Sequence, residues 1–244
     1  MQYRLLLSLL AVAGLAGTAA AASGTVSASL SPNKVSKPSG LTITATGPFS
    51  SSGLPKSVDI KVQKGFRSSP KSVRVLCTAA QASKNTCPKK SHIGSGTAKV
   101  TATFLGSTYH PTVALSLFLG KPQRKGDISS VVITGTLENS PYGNGTTSSS
   151  TGRLFKRAGG GLELLFANLP NYTLPPGVTV TLDSLQIKAK AIRTVKKGKR
   201  HHKHKVRYSL ITNPAACNGT WTGSFTVTFS SGSQSSTLSS PCRR

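Results

Sequence analysis

The chain of 244 residues carries 31 lysines and arginines against five aspartates and glutamates, which gives a formal net charge of +26. Hydrophobic residues make up 36% of the chain, a share too high for a wholly disordered protein. Five carboxylates are too few for a carboxylate-rich metal site or a glycosidase centre. After residue 22, no apolar run is long enough to cross a bilayer as a helix. A folded, strongly basic protein is therefore expected.

Residues 1–22 have the organisation of a secretory signal peptide. Arg4 precedes an apolar run, and Ala20 and Ala22 follow with the small-residue spacing of a cleavage site. We therefore expect export, an extracellular location and a mature chain without a transmembrane segment. No wall-sorting motif or hydrophobic tail follows Cys242, so any association with the cell wall is expected to lack a covalent anchor.

Four cysteines remain in the expected mature chain: Cys77, Cys87, Cys217 and Cys242. An even number of cysteines in an oxidising compartment predicts two disulfides, with three possible connectivities. The spacing favours Cys77–Cys87 across a short loop and Cys217–Cys242 near the C-terminus. A metal site is disfavoured, because the sequence has no C-x-x-C pair and no histidine within four residues of any cysteine.

Alternation of apolar and polar residues with period 2, which is typical of strands, dominates the mature chain. It predicts about ten strands, at residues 25–30, 41–45, 58–62, 98–104, 113–119, 131–137, 162–166, 178–192, 206–211 and 221–229. The only helix predicted is one short turn between Cys77 and Cys87, where three alanines cluster. We predict an all-β fold, specifically a β-sandwich that is immunoglobulin-like or related.

One long predicted strand changes its apolar parity part-way along. Val180 and Leu182 have one parity, whereas Leu185 and Ile187 have the other. A β-bulge at residues 183–184 would return all four side chains to the same face of the sheet.

The segment 139–152 contains almost no apolar residues and predicts an exposed, mobile loop. It is the one internal position at which the composition favours a domain boundary. Residues 23–244 are expected to form a single β-sandwich domain, and a two-part division near the 139–152 loop is the alternative.

Residues 188–207 contain ten lysines and arginines, three histidines and no acid, with Gly198 between two alternating flanks. This pattern predicts a β-hairpin with a basic outer face and tip. Like charges opposite one another destabilise a strand pair by up to ~1 kcal/mol, so an anionic envelope polymer or other polyanion as partner is one interpretation of this hairpin. The candidate contacts are Lys188, Lys190, Lys196, Lys197, Lys199, Arg200, Lys203, Lys205 and Arg207. The alternative is a solvated loop in a generally basic protein.

Two sequence motifs carry a resemblance to known proteins. Residues 87–98 read CPKKSHIGSGTA and follow Cys77, while residues 212–217 read TNPAAC and precede Trp221. In these motifs the chain resembles uncharacterised secreted all-β proteins of actinobacteria, over most of the mature chain. The resemblance implies a secreted β-rich fold with two disulfides. It implies no activity and no catalytic residue.

No convergent catalytic set or cofactor motif is apparent in the sequence. Ser91 and His92 are adjacent, so in an extended segment they point to opposite sides, and we interpret them as structural. An extracellular hydrolase assembled from distant parts such as His92, His110, Glu163 and Asp183 is the least favoured hypothesis. We expect a non-enzymatic structural or adhesive module of the cell envelope or matrix. A polyanion-binding module that uses the basic hairpin is the alternative, with no sequence-specific reading of nucleic acid because no recognition helix is predicted.

Overall fold

The computed structural model describes residues 24–49, 55–104, 106–138, 145–169, 179–198, 203–229 and 232–244. The predicted signal peptide and the junction after it lie outside these residues. Within them the chain forms fifteen strands: β1 Thr25–Ser31, β2 Pro38–Phe49, β3 Ser57–Val62, β4 His92–Phe104, β5 Ser107–Tyr109, β6 Thr112–Gly120, β7 Asp127–Glu138, β8 Gly145–Lys156, β9 Leu162–Phe166, β10 Thr179–Ala189, β11 Ile192–Lys197, β12 His204–Ser209, β13 Ile211–Thr212, β14 Thr220–Phe229 and β15 Gly232–Pro241. The all-β prediction is confirmed, with more strands than the ten expected.

Thirteen of the strands belong to a single hydrogen-bonded sheet. Its main path runs β1-β2-β10-β4-β6-β7-β8-β9-β3-β14-β15, with β13 on β2 and β5 on β4, while β11 and β12 pair only with each other. The edge strands β1 and β15 lie side by side, so the sheet is nearly closed and barrel-like. This architecture differs from the predicted two-sheet sandwich. One apolar face per strand is required by both arrangements, and the alternation alone does not distinguish them.

The gap between the two edge strands is spanned by backbone hydrogen bonds near the C-terminus. Val35 N donates to Arg243 O at 3.0 Å, and Arg243 N donates to Asn33 O at 2.9 Å. The buried Asn213 amide donates to the carbonyl oxygens of Pro32 and Lys34. The segment that follows β1 is thereby held against the end of β15.

The predicted β-bulge is confirmed. Strand β10 pairs with β2 on one side and β4 on the other, and both registers shift between Leu182 and Ser184. On either side of the shift, Leu182, Leu185 and Ile187 all face the interior of the sheet.

The prediction of a mobile loop over residues 139–152 is wrong for residues 145–152, which form the first part of β8. Ile133 of β7 pairs with Ser150, and Val132 pairs with Thr151. The hydrogen bonds between two strands are made by backbone groups. A segment rich in serine and threonine can therefore form a strand when it pairs with an apolar neighbour such as β7. Residues 139–144 lie outside the described part of the chain.

The Cys77–Cys87 disulfide encloses the short helix α1, Ala79–Ser83, as predicted. Thr78 and Gln81 form a reciprocal capping box, in which each side chain accepts a hydrogen bond from the other residue's backbone N–H. Ala82 packs on Val132 of β7, so the enclosed segment lies on the outer surface of the sheet. The described residues include no helix with the length and hydropathy needed to cross a membrane.

The second disulfide joins Cys217 to Cys242, which completes the pairing that the spacing favours. Trp221 lies beside it, 2% exposed, with its ring edge-on to Phe66 and its Nε1–H donating to Ala216 O at 2.9 Å. This cluster anchors β14 and the C-terminal segment to one end of the sheet.

Candidate functional site: a cationic groove and hairpin

The predicted basic hairpin is present as strands β11 and β12. Their ladder runs from the pair Ile192 and Ser209 to the pair Lys197 and His204. Gly198 follows β11 with φ 121°, a left-handed conformation that favours glycine. Lys203 is exposed just before β12, while Lys199 and Arg200 lie outside the described residues.

The hairpin is shorter at its base than predicted, because Lys188 and Lys190 do not belong to it. Lys188 lies in β10, opposite Thr42 of β2 and Ser95 of β4. Lys190 follows β10, and its backbone N–H donates to Ile93 O at 2.7 Å. The alternating residues before Lys190, which were interpreted as one arm of the hairpin, belong instead to β10. This is a central strand that is hydrogen-bonded to β2 on one side and to β4 on the other.

The outer face of the hairpin is basic, as predicted. Thr194, Lys196, Lys205 and Arg207 share this face, and all four are exposed. Lys196 and Lys205 form a directly opposed pair. Two cations at this spacing repel one another, and a bound anion would relieve that repulsion.

The inner face of the hairpin rests on the segment around the 3₁₀ turn Pro70–Ser72. An amino group of the Arg193 guanidinium donates to Val73 O at 3.3 Å. The ammonium groups of Lys71 and Lys197 lie 5.7 and 5.5 Å from the centre of the Tyr208 ring. A hydrogen bond from Lys197, together with the positive charges of Lys197, Lys71 and Arg193, lowers the pKa of the Tyr208 phenol. The base of the hairpin is therefore a region of positive potential.

A groove of about 500 Å³ lies at this base, between the hairpin and two turns of the preceding chain. Its basic lining residues come from three separate segments of the chain: Arg74, Lys90, His92, Lys190 and Arg193. All of these except Arg193 are exposed. No carboxylate is present among the described residues that line it.

Ser72 adds an unpaired hydrogen-bonding group to the groove. The residue is 4% exposed, and its Oγ has no hydrogen-bond partner among the described residues. A buried hydroxyl without a partner costs about 1–3 kcal/mol, so such groups are uncommon in folded proteins. An anion in the groove would supply an acceptor for this hydroxyl.

The carboxylates whose contacts the structure describes are engaged elsewhere. Asp59 pairs with Lys61 at 2.6 Å, Asp127 with Arg153 at 2.7 Å and Glu163 with Arg157 at 3.7 Å. None of these described ion pairs includes a residue of the groove or of the hairpin. The cations of the two features are therefore uncompensated within the described part of the chain.

The adjacent pair Ser91 and His92 has the structural surroundings that were expected. Ser91 is fully buried, and its Oγ donates to Pro88 O at 2.6 Å. His92 is exposed, with its ring edge-on to Phe118 at 5.4 Å between ring centres. The serine hydroxyl thus closes a turn at the start of β4.

Two other candidate hydrolase residues are brought together through a threonine. Thr101 Oγ1 lies 3.1 Å from His110 Nδ1 and donates to Asp183 Oδ2 at 2.8 Å. This order places the hydroxyl between imidazole and carboxylate, whereas a Ser-His-Asp triad places the imidazole in the middle. Glu163 is separate, in its ion pair with Arg157.

The groove itself was not predicted from the sequence. Arg74 and Lys90 lie on either side of the first disulfide loop, and neither falls in a charge run that marks it as a contact. Only the path of the chain through the turns at residues 70–74 and 89–92 places them beside Lys190. Comparison with protein-family models, curated proteins and solved structures finds no match.

Proposed function

We propose that the protein is an exported, non-enzymatic adhesive module that binds an anionic polymer through the cationic groove and the outer face of the hairpin. The observation that carries the proposal is the groove, which is lined by five basic residues and by a serine with a buried hydroxyl that has no partner among the described residues. The predicted signal peptide and the two disulfides support an extracellular setting.

The groove and the hairpin divide the ligand contacts between them. The groove is concave and offers a hydroxyl donor beside several cations, which suits one phosphate or carboxylate group of the polymer. The hairpin offers opposed cations on an open surface, which suits the neighbouring charges of the same chain. A polymer with regularly repeated anionic groups would engage both features at once.

The aromatic residue of the hairpin favours recognition of charge over recognition of bases. The Tyr208 ring is half-buried, and the ammonium groups of Lys71 and Lys197 already lie 5.7 and 5.5 Å from its centre. It is therefore poorly placed for the stacking that single-strand nucleic-acid binding uses. An acidic polymer of the envelope or matrix suits this surface better.

Three triple variants of equal charge test the proposal. The groove variant combines Arg74→Ser, Lys90→Ser and Lys190→Ser, and the hairpin variant combines Lys196→Ser, Lys205→Ser and Arg207→Ser. The control combines Lys84→Ser, Lys99→Ser and Lys156→Ser, three exposed residues outside both features. Binding to purified cell envelope and to polyphosphate is measured by sedimentation and by calorimetry.

We expect the groove and hairpin variants each to bind at least about tenfold more weakly than the wild type, because each loses several charge contacts. The control should lose less than about threefold, since it loses the same net charge without a contact. Equal losses in all three variants would show that overall basicity suffices, and would contradict the proposal.

A further inference from the structure

The interior of the barrel-like sheet contains an apolar lumen of about 430 Å³. Its wall is formed by inward-facing side chains of β3, β4, β6, β7, β9 and β10, with others from the strands near the closing edges. The lumen is distinct from the cationic groove, which lies outside the sheet.

The lumen remains open because the side chains do not fill it. Leu117 and Val131 of the wall are buried, but Leu115, Ile133 and Leu164 are only half-buried although they face inward. Barrels of about eight strands can be filled by their own side chains, and wider ones leave a cavity. The main path around this sheet has eleven strands, which places it in the second class.

The chemistry of the wall defines what could occupy the space. No charged residue is among the described residues that line the lumen, and leucine, isoleucine, valine and alanine predominate. A water molecule in a cavity needs two to four polar partners, which this wall rarely offers. The Ser68 hydroxyl is the notable exception, since it is buried in the wall without a hydrogen-bond partner.

We propose that the lumen binds a single aliphatic chain, such as the acyl chain of an amphiphile. Its volume lies in the range of about 300–1,000 Å³ that is common for small-molecule sites. Insertion of the chain would cover the half-buried wall residues, and an uncharged oxygen of the ligand could accept a hydrogen bond from Ser68. This proposal is independent of the anionic polymer, because the two ligands would occupy different surfaces.

The single tryptophan of the chain provides the measurement. Trp221 lines the lumen and is 2% exposed, so its fluorescence reports on that space and little on the outer surface. Dibromostearic acid and its methyl ester are titrated below their aggregation concentrations, since bromine quenches indole fluorescence at short range. Both are expected to quench saturably, and unlabelled stearate should reverse the effect by competition.

Two double variants locate the binding. Leu115→Phe with Ile133→Phe adds bulk to the wall on β6 and β7, and Ser116→Phe with Thr136→Phe places two phenylalanines on the outer face of the same strands. We expect the apparent dissociation constant to rise at least about tenfold in the first variant and to stay within about threefold in the second.

An absence of quenching in the wild type, quenching by the acid but not the ester, or equal binding by both variants would each overturn the proposal. If the wall variant does not fold, the wild type still decides the question. A chain bound to the folded state must raise the melting temperature as its concentration rises, and no such rise would contradict binding. The groove variant should bind the ester as tightly as the wild type, which separates this test from that of the polymer.

Discussion

The lumen and the cationic groove are opposite in chemistry yet adjacent in sequence. Ile93 in β4 and Ala189 in β10 line the lumen, whereas His92 and Lys190, one residue away from each, line the groove. Successive side chains of an extended segment point to opposite sides, so a shift of one residue exchanges interior for exterior. The start of β4 and the end of β10 therefore contribute to both surfaces, with alternate side chains lining the apolar lumen and the basic groove.

The two regions also differ in what the protein leaves unsatisfied. In the lumen, inward-facing aliphatic side chains remain half-buried. In the groove, uncompensated cations share the lining with Ser72, whose hydroxyl has no partner among the described residues. Each deficiency corresponds to a class of ligand: the first to an aliphatic chain, and the second to an anion.

The largest loss of stability is expected from a substitution where β4 and β10 meet, beside the residues that line the lumen and the groove. Gly94 of β4 lies opposite Ala189, and a Cβ added to it would stand 2.8 Å from the Ala189 Cα. Gly94→Ala should therefore lower the free energy of unfolding by about 2–3 kcal/mol, because two backbones must separate. Chemical denaturation measures the change.

Gly145→Ala is the matched control for Gly94→Ala. Gly145 is also a strand glycine, at the start of β8, but a Cβ there would meet no atom within 4 Å. Its unfolding free energy should change by less than about 0.5 kcal/mol. Equal effects at the two glycines would mean that close approach of β4 to β10 is not what the junction requires.

A smaller loss of stability is expected when a carboxylate that pairs with a cation is replaced. Asp127 has a fully buried side chain that accepts three hydrogen bonds from the Arg153 guanidinium, which joins β7 to β8. Asp127→Asn should cost about 2 kcal/mol of stability at neutral pH, the range for hydrogen bonds to charged groups. The exposed Glu138→Gln at the other end of β7 should change little.

The effect of Asp127→Asn should also depend on pH. The hydrogen bonds from Arg153, with the Arg124 backbone N–H and the Arg153 charge, hold the pKa of Asp127 below its usual value. A lowered pKa contributes stability above the unfolded-state pKa of about 4, and that stability is lost as the pH falls through the folded-state pKa. Denaturation of both proteins should give a difference that shrinks at acid pH, whereas a constant difference would contradict the role of the ionised form.

The smallest effect concerns the serine hydroxyl of the groove. Ser72→Ala removes a buried group without a partner, so stability should be unchanged or rise by up to about 1 kcal/mol, while polyphosphate binding weakens by about 2–10-fold. Ser129→Ala is the control, because Ser129 Oγ is also buried and unpartnered but lies in β7, away from the groove. Calorimetry should find weaker binding for Ser72→Ala alone. Unchanged binding would remove Ser72 from the site.

Local features of the structure could be predicted from the sequence. The bulge after Leu182 follows from a parity change within one strand, and the disulfide pairing agrees with short sequence separations. The basic hairpin follows from the run of cations around a glycine and from the alternation on its C-terminal side. Each of these features depends on one continuous stretch of residues, so a sequence pattern is enough to predict it.

Features that depend on distant strands could not be predicted in the same way. The serine-rich strands β8 and β15 carry a weak apolar signal and are completed by their partners β7 and β14. The lumen exists because the edge strands approach each other, and the groove exists because Arg74 and Lys90 reach Lys190. Because each arrangement depends on residues that are far apart in the chain, no single segment of the sequence predicts it.

The most direct test of the central claim is the salt dependence of polyphosphate binding. The six substitutions of the groove and hairpin variants are combined in one protein and compared with the wild type and with the Lys84, Lys99 and Lys156 control. Between about 50 and 200 mM salt, each lost charge contact should flatten the slope of log K against log salt by about 0.7–0.9. We predict a much flatter slope for the combined variant and a slope close to wild type for the control. The same slope in all three proteins would contradict the account, because binding would then depend on net charge rather than on this surface.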